Sequence, residues 1–101
     1  MQVTHLLIFG HVHGVGFRKF VRHTAQKLGL VGWVRNLPEG IHSASSGQAV
    51  EAEVMGEEKK VQELIKLCKK GPYLAEVSDV EVQSVEKDFP YNEFMLRHDT
   101  D

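Results

Sequence analysis

The sequence predicts an α+β fold in which two helices cover one face of an antiparallel sheet. Three observations carry that expectation. Short apolar runs show the two-residue alternation of strands, two longer stretches repeat their apolar residues at helical spacing, and the elements follow in the order βαββαβ with a short extra C-terminal strand. The chain has 101 residues and is 42% hydrophobic. That suits a single domain over 1–101 with a modest core.

Residues 2–9, "QVTHLLIF", carry apolar side chains on both faces, which suits a central strand. The first helix is expected from Phe17 to Leu28: Phe17, Phe20, Val21, Thr24, Ala25 and Leu28 share one stripe, Lys27 suits the C-terminal dipole, and Gly29 suits a left-handed cap. Val31 to Asn36 is the second strand. Gln48 to Met55 is the third, with Val50, Ala52 and Val54 alternating against Ala49, Glu51 and Glu53. These two are expected to form a hairpin with one wet face. The second helix starts near Glu57, ends before Gly71-Pro72, and buries Val61, Leu64, Ile65 and Cys68. Glu76 to Val85 and Asn92 to Arg97 complete the strands.

Two split βαβ units in this order give a ferredoxin-like sandwich, an architecture that hosts many functions and implies none. Its geometry has one consequence for a site. The first two strands run the same way, so the loop after the first and the hairpin after the second lie at one end. Arg18 and Asn36 are therefore expected close together.

One cysteine excludes an internal disulfide framework and favours a reducing compartment. No basic start followed by a long apolar region marks a secretory signal, and no apolar run reaches membrane-spanning length. A cytoplasmic protein without a membrane partner is expected. The formal net charge is −2, but residues 1–38 hold five basic residues and no acidic one, leaving −7 on the remainder. A basic N-terminal part suggests an anionic ligand near it; chance imbalance is the other reading.

The stretch "GHVHGVGFRKF", Gly10 to Phe20, lies between the first strand and the first helix. Its glycines permit backbone closed to other residues, leave N–H groups uncovered, and lead into a helix N-terminus that favours negative charge. Arg18 adds a planar fork of donors suited to phosphate oxygens. Together these describe an anion cradle. The plain alternative is a flexible turn with an exposed arginine. Neither a Walker loop nor the dinucleotide pattern is present. Asn36, before Leu-Pro-Glu-Gly, is by residue type alone a turn former.

"GHVHGVGFR" resembles the G-x-V-Q-G-V-x-F-R signature of acylphosphatases, and "GWVRNLPEG" is similar to that family's G-[WY]-x-x-N-x-x-D/E-G. "GPYLAEVSDVEV" resembles its G-P-x-x-A-x-V-x-x-V segment, so the resemblance covers nearly the whole chain. It implies the ferredoxin-like fold and hydrolysis of the carboxyl–phosphate bond of small acyl phosphates, without metal or cofactor. By this resemblance the backbone N–H groups of His13, Gly14, Val15, Gly16, Phe17 and Arg18, with the Arg18 guanidinium, bind the phosphoryl oxygens. Asn36 orients the attacking water. Inorganic phosphate or sulfate is the implied inhibitor, and a monomer the implied state. The chain departs from the pattern in having His13 where glutamine is usual, and in a longer hairpin, "EGIHSASSGQAV".

Three alternatives stand beside this reading. His11 and His13, with His42, could hold a metal, although no acidic or cysteine ligand lies nearby in sequence. His5, His23 and His98 are expected as surface or sheet residues, and Trp33 and the phenylalanines as core. A ferredoxin-like module that binds RNA would use aromatic strands, which are missing, since Phe17 and Phe20 belong to the helix stripe. A non-catalytic phosphate-binding domain, as in hydrogenase maturation proteins, is disfavoured by the short chain. Residues 41–47 are expected to be mobile and without a catalytic side chain, with Ile41 to Gln48 replaceable by a two-residue turn.

Overall fold

The computed structural model describes residues 1–38, 48–88 and 90–98. The elements among them are β1 (Gln2–His11), α1 (Phe17–Lys27), β2 (Val31–Leu37), β3 (Ala49–Met55), α2 (Glu58–Lys70), β4 (Glu76–Glu86) and β5 (Phe94–Leu96). Each lies where its hydrophobic period places it. Ends shift by a residue or two because they are set by tertiary hydrogen bonds that the period does not register.

The strands form one sheet in the order β4-β1-β3-β2-β5. β1 pairs antiparallel with both β3 and β4, an interior strand as expected, and β3 pairs antiparallel with β2; Leu6 and Ile8 pack in the main core, and Phe9 in a second cluster with Leu7, Leu37 and Ala49. The last pair departs from a purely antiparallel sheet: β5 runs parallel to β2, with Phe94 opposite Gly32 and Leu96 opposite Val34. The cause is topological. β4 ends beside the start of β1, Glu86 opposite Gln2, so the chain returns from that end of the sheet and must ascend alongside β2. The sheet is mixed at this edge, within the ferredoxin-like α+β class.

Both helices pack on the same face. Leu6 and Ile8 of β1, Val34 of β2 and Val50, Ala52 and Val54 of β3 form one buried cluster with Phe17, Val21 and Ala25 of α1 and Val61, Leu64, Ile65 and Cys68 of α2. Each large apolar side chain taken fully from water there contributes about 1.5–3 kcal/mol. Phe20 and Leu28 pack only at its margin. Burial pushes the Cys68 thiol up to about 12, so it remains protonated and inert as a nucleophile.

The opposite face corrects two expectations. Glu53, expected on the wet side of the hairpin, is 6% exposed. Trp33, expected in the core, is half-buried on this face. Its indole N–H donates to the Tyr91 hydroxyl at 3.1 Å, and that hydroxyl donates to Glu53 Oε1. The guanidinium of Arg97 lies 5.0 Å from the Trp33 ring centroid. Farther along, Glu51 accepts from Arg35 Nε at 2.7 Å and meets His5 Nε2 at 2.7 Å. Tyr91, in the segment before β5, lies on this face and with it Glu53 is buried rather than solvated. Phe89 lies outside the described residues.

Candidate active site

β1 and β2 are both antiparallel to β3, so they run the same way and their C-terminal ends share one end of the sheet. Along β2 the side chains alternate: Trp33 and Arg35 take the open face, while Val34 enters the helix-side core and Asn36 follows it on that side. Arg18, in the first turn of α1, and Asn36 line one cavity of ≈ 290 Å³. The expected proximity of these two residues is found.

The glycine loop forms the floor of this cavity. Gly14 and Gly16 have φ values of 72° and 77°, in the left-handed region, where a side chain would be strained. Gly16 is also the N-cap of α1, and no side chain caps that end; the first turn contains no acidic residue. The first helical bond among the described residues runs from the Phe20 N–H to Gly16 O at 3.0 Å. The N–H groups of the first turn precede that ladder and lie at the positive end of the helix dipole, and Gly16, Phe17, Arg18 and Lys19 of this end line the cavity. An anion fits such an end without further devices.

Arg18 is half-buried, and its Nη1 donates to the backbone carbonyl of Arg97 at 2.9 Å. The bond uses one of the five guanidinium N–H groups and fixes the plane of the others. Arg97 is itself held by its N–H to Val34 O at 2.8 Å. Arg97, the residue after β5, therefore connects Arg18 to β2.

His13 takes a different place from that expected. Its N–H donates to Gln48 Oε1 at 3.1 Å, beside the Val12 N–H, which donates to the same oxygen at 3.0 Å. Of the backbone cradle expected from His13 to Arg18, the His13 donor is thus occupied by a protein oxygen. The ring is occupied too, because Nε2 donates to Ala49 O at 2.7 Å. His13 is tied to the start of β3 through its ring as well as its backbone. Among the described residues no group of three His, Cys, Asp or Glu is placed to hold a metal ion. His42 and the rest of 41–47 lie outside the described residues. Gln48 is inside them and holds the loop, so a replacement of the hairpin has to stop at Gly47.

Lys19, Leu96 and His98 also line the cavity and were missed in the sequence. Lys19 had a visible signal, its place beside Arg18. His98 had none, since it reaches the cavity only because β5 lies parallel to β2. A larger cleft of ≈ 840 Å³, lined by Trp33, Glu53, Lys87, Tyr91 and Arg97, opens on the other sheet face. Its polar groups engage each other, Lys87 Nζ lying 3.5 Å from Glu53 Oε1. The chemistry gathers at the smaller cavity, where a glycine turn, a helix N-terminus, a guanidinium and an uncharged amide meet.

Comparison with known proteins agrees with this geometry. The family model for acylphosphatase matches residues 4–96. An acylphosphatase of Caldivirga maquilingensis is 46% identical over 94 residues, which is 93% of this chain and 92% of that protein. The crystal structure of acylphosphatase from Bacillus subtilis superposes with a TM-score of 0.80 at 30% identity, covering 96% of this chain and 99% of that one. A full-length HypF, crystallised in a phosphate- and nucleotide-bound form, is similar over 97% of this chain but only 12% of its own, with a TM-score of 0.74 at 37% identity. With its sequence matched over nearly its whole length and its fold superposed on solved members, the chain belongs to the acylphosphatase family.

Proposed function

We propose that this acylphosphatase-family protein hydrolyses small acyl phosphates by direct attack of water, with Arg18 and Asn36 as its catalytic side chains. The phosphoryl group sits on the N–H groups of Gly14, Val15, Gly16, Phe17 and Arg18, and the Arg18 guanidinium meets its oxygens. Water held by Asn36 attacks phosphorus. The bond from phosphorus to the carboxyl oxygen breaks, the carboxylate leaves with the electron pair, and the water's proton passes to a phosphate oxygen. A mixed anhydride has a good leaving group, so no protein nucleophile is required.

The observation that carries this reading is the uncapped N-terminus of α1 behind two left-handed glycines, in one cavity with Arg18 and Asn36. A loose phosphoryl transition state asks chiefly for positioning and for donors aimed at its oxygens. One preorganised donor is worth about 2.7–4 kcal/mol in such a state. Asn36 suits the water because an amide accepts from water and donates toward phosphate without repelling an anion.

The reading includes a single unit over 1–101, a monomer acting in the cytoplasm, with no metal, cofactor or nucleic-acid partner and with phosphate or sulfate as competitive inhibitors. No described helix is long and apolar enough to cross a membrane. The RNA-binding alternative loses support because Phe17 is buried in the core and Phe20 packs against it. The test is hydrolysis of benzoyl phosphate with inorganic phosphate as inhibitor. Turnover with competitive inhibition is expected; folded protein that binds phosphate without turnover would instead be a phosphate-binding module.

A further inference from the structure

Two adjacent residues at the start of β3 and two adjacent residues of the glycine loop are joined reciprocally. The Gln48 side chain accepts the loop's Val12 and His13 N–H groups at 3.0 and 3.1 Å, while the His13 side chain returns a hydrogen bond from Nε2 to Ala49 O at 2.7 Å. The backbone of Gln48 adds a longer link, its carbonyl accepting from Gly10 N–H at 3.5 Å. We infer that Gln48 and His13 are positioning residues that lock the glycine loop against β3 in its anion-receiving shape, an inference that rests on the proposed phosphate site.

The physical need is clear from the loop itself. Gly14 and Gly16 give the backbone left-handed conformations at the cost of a large freedom that must be lost before donors can converge on an anion. α1 holds the loop's far end through the Phe20 N–H to Gly16 O bond. The near end leaves β1 next to a register shift between Phe9 and Gly10, where pairing with β4 is irregular. The reciprocal clamp lies at this weak end. Its polar atoms are part-buried, so each bond competes less with water than a surface bond does. Gln48 is neutral, and it accepts two N–H groups without placing a negative charge beside the cavity. A carboxylate there would make the same bonds and repel the substrate.

His13 then has a definite role: a side-chain N–H aimed at Ala49 O. A glutamine at position 13 carries an amide N–H that can serve the same acceptor. The role belongs to the donor and not to the imidazole.

The test uses Gln48→Ala, Gln48→Glu, His13→Ala and His13→Gln, each checked for folding by circular dichroism. Amide hydrogen exchange at residues 12 and 13 reads the clamp, and titration with inorganic phosphate reads the cradle. Both alanine variants should lose protection at those amides and weaken phosphate binding by roughly ten- to a hundredfold, as a displaced binding geometry does. His13→Gln should recover both. Gln48→Glu should keep the protection and lose the affinity. Loss of protection with phosphate affinity unchanged, or a His13→Gln variant that behaves like His13→Ala, would overturn the inference. Wild-type protein that binds no phosphate would instead remove the acyl phosphate reading, while exchange at residues 12 and 13 still decides whether the clamp exists.

Discussion

The Arg18 guanidinium is bonded through Nη1 to the carbonyl oxygen of Arg97 at 2.9 Å, so the residue that follows the C-terminal strand orients the charge that lines the cavity. Arg18→Ala removes both the charge and this orientation, and should leave a folded protein whose transition state is less stable by about 2.7–4 kcal/mol. Steady-state kinetics with benzoyl phosphate checks it. Arg18→Lys keeps the charge but loses the planar fork, and should recover only part of the activity. Retention of most turnover and affinity in the alanine variant would contradict the role.

Asn36 separates water positioning from substrate binding. Asn36→Ala should lower turnover by on the order of a hundredfold while phosphate inhibition stays nearly intact. A variant that lost phosphate affinity but kept its turnover at saturation would assign Asn36 to binding instead.

Metal removal tests the remaining histidine alternative. Dialysis against a chelator should leave turnover unchanged, because each proposed step uses N–H donors and water. Activity recovered only on adding a divalent ion would return attention to His11, His13 and His42.

On the open face, Glu51 makes acid stability measurable. Burial pushes its carboxyl up, but hydrogen bonds from His5 and Arg35 and their charges outweigh burial and hold it below the ordinary carboxylate value. A folded pKa below the unfolded one gives stability that is present in full above the unfolded value and lost as pH falls through the folded one. Glu51→Gln should therefore cost about 1.5–3 kcal/mol at neutral pH, the scale of a hydrogen bond to a charged group. The difference should vanish in acid. Urea midpoints at neutral and acid pH measure it, and a difference constant across pH would disprove the assignment.

Gly14→Ala addresses the loop's backbone. A Cβ there would meet nothing within 4 Å, so the cost is conformational, roughly 1–2 kcal/mol for holding φ at 72°. The fold should persist, with phosphate affinity falling more than thermal stability. A variant that binds phosphate as tightly as wild type would show that the left-handed turn is not needed.

What the sequence determined by itself is local and periodic. The strands, helices and glycine turn follow from apolar spacing and from residue types that only certain backbones accept, and the βαββαβ order sufficed to bring Arg18 and Asn36 to one end of the sheet. The motifs beginning at Gly10 and Gly32 identified the family because they lie in adjacent parts of the chain. Tertiary structure decided what depends on registry between distant segments. β5 lies parallel to β2 because the chain returns from the end where β4 stops, and only this places His98 in the cavity and Arg97 both behind Arg18 and over Trp33. Glu53 is buried because the segment before β5 brings Tyr91 onto it, an effect that the alternation of β3 does not contain. The bond between Gln48 and the glycine loop is of the same kind, made by residues far apart in the chain whose side-chain chemistry alone names no partner.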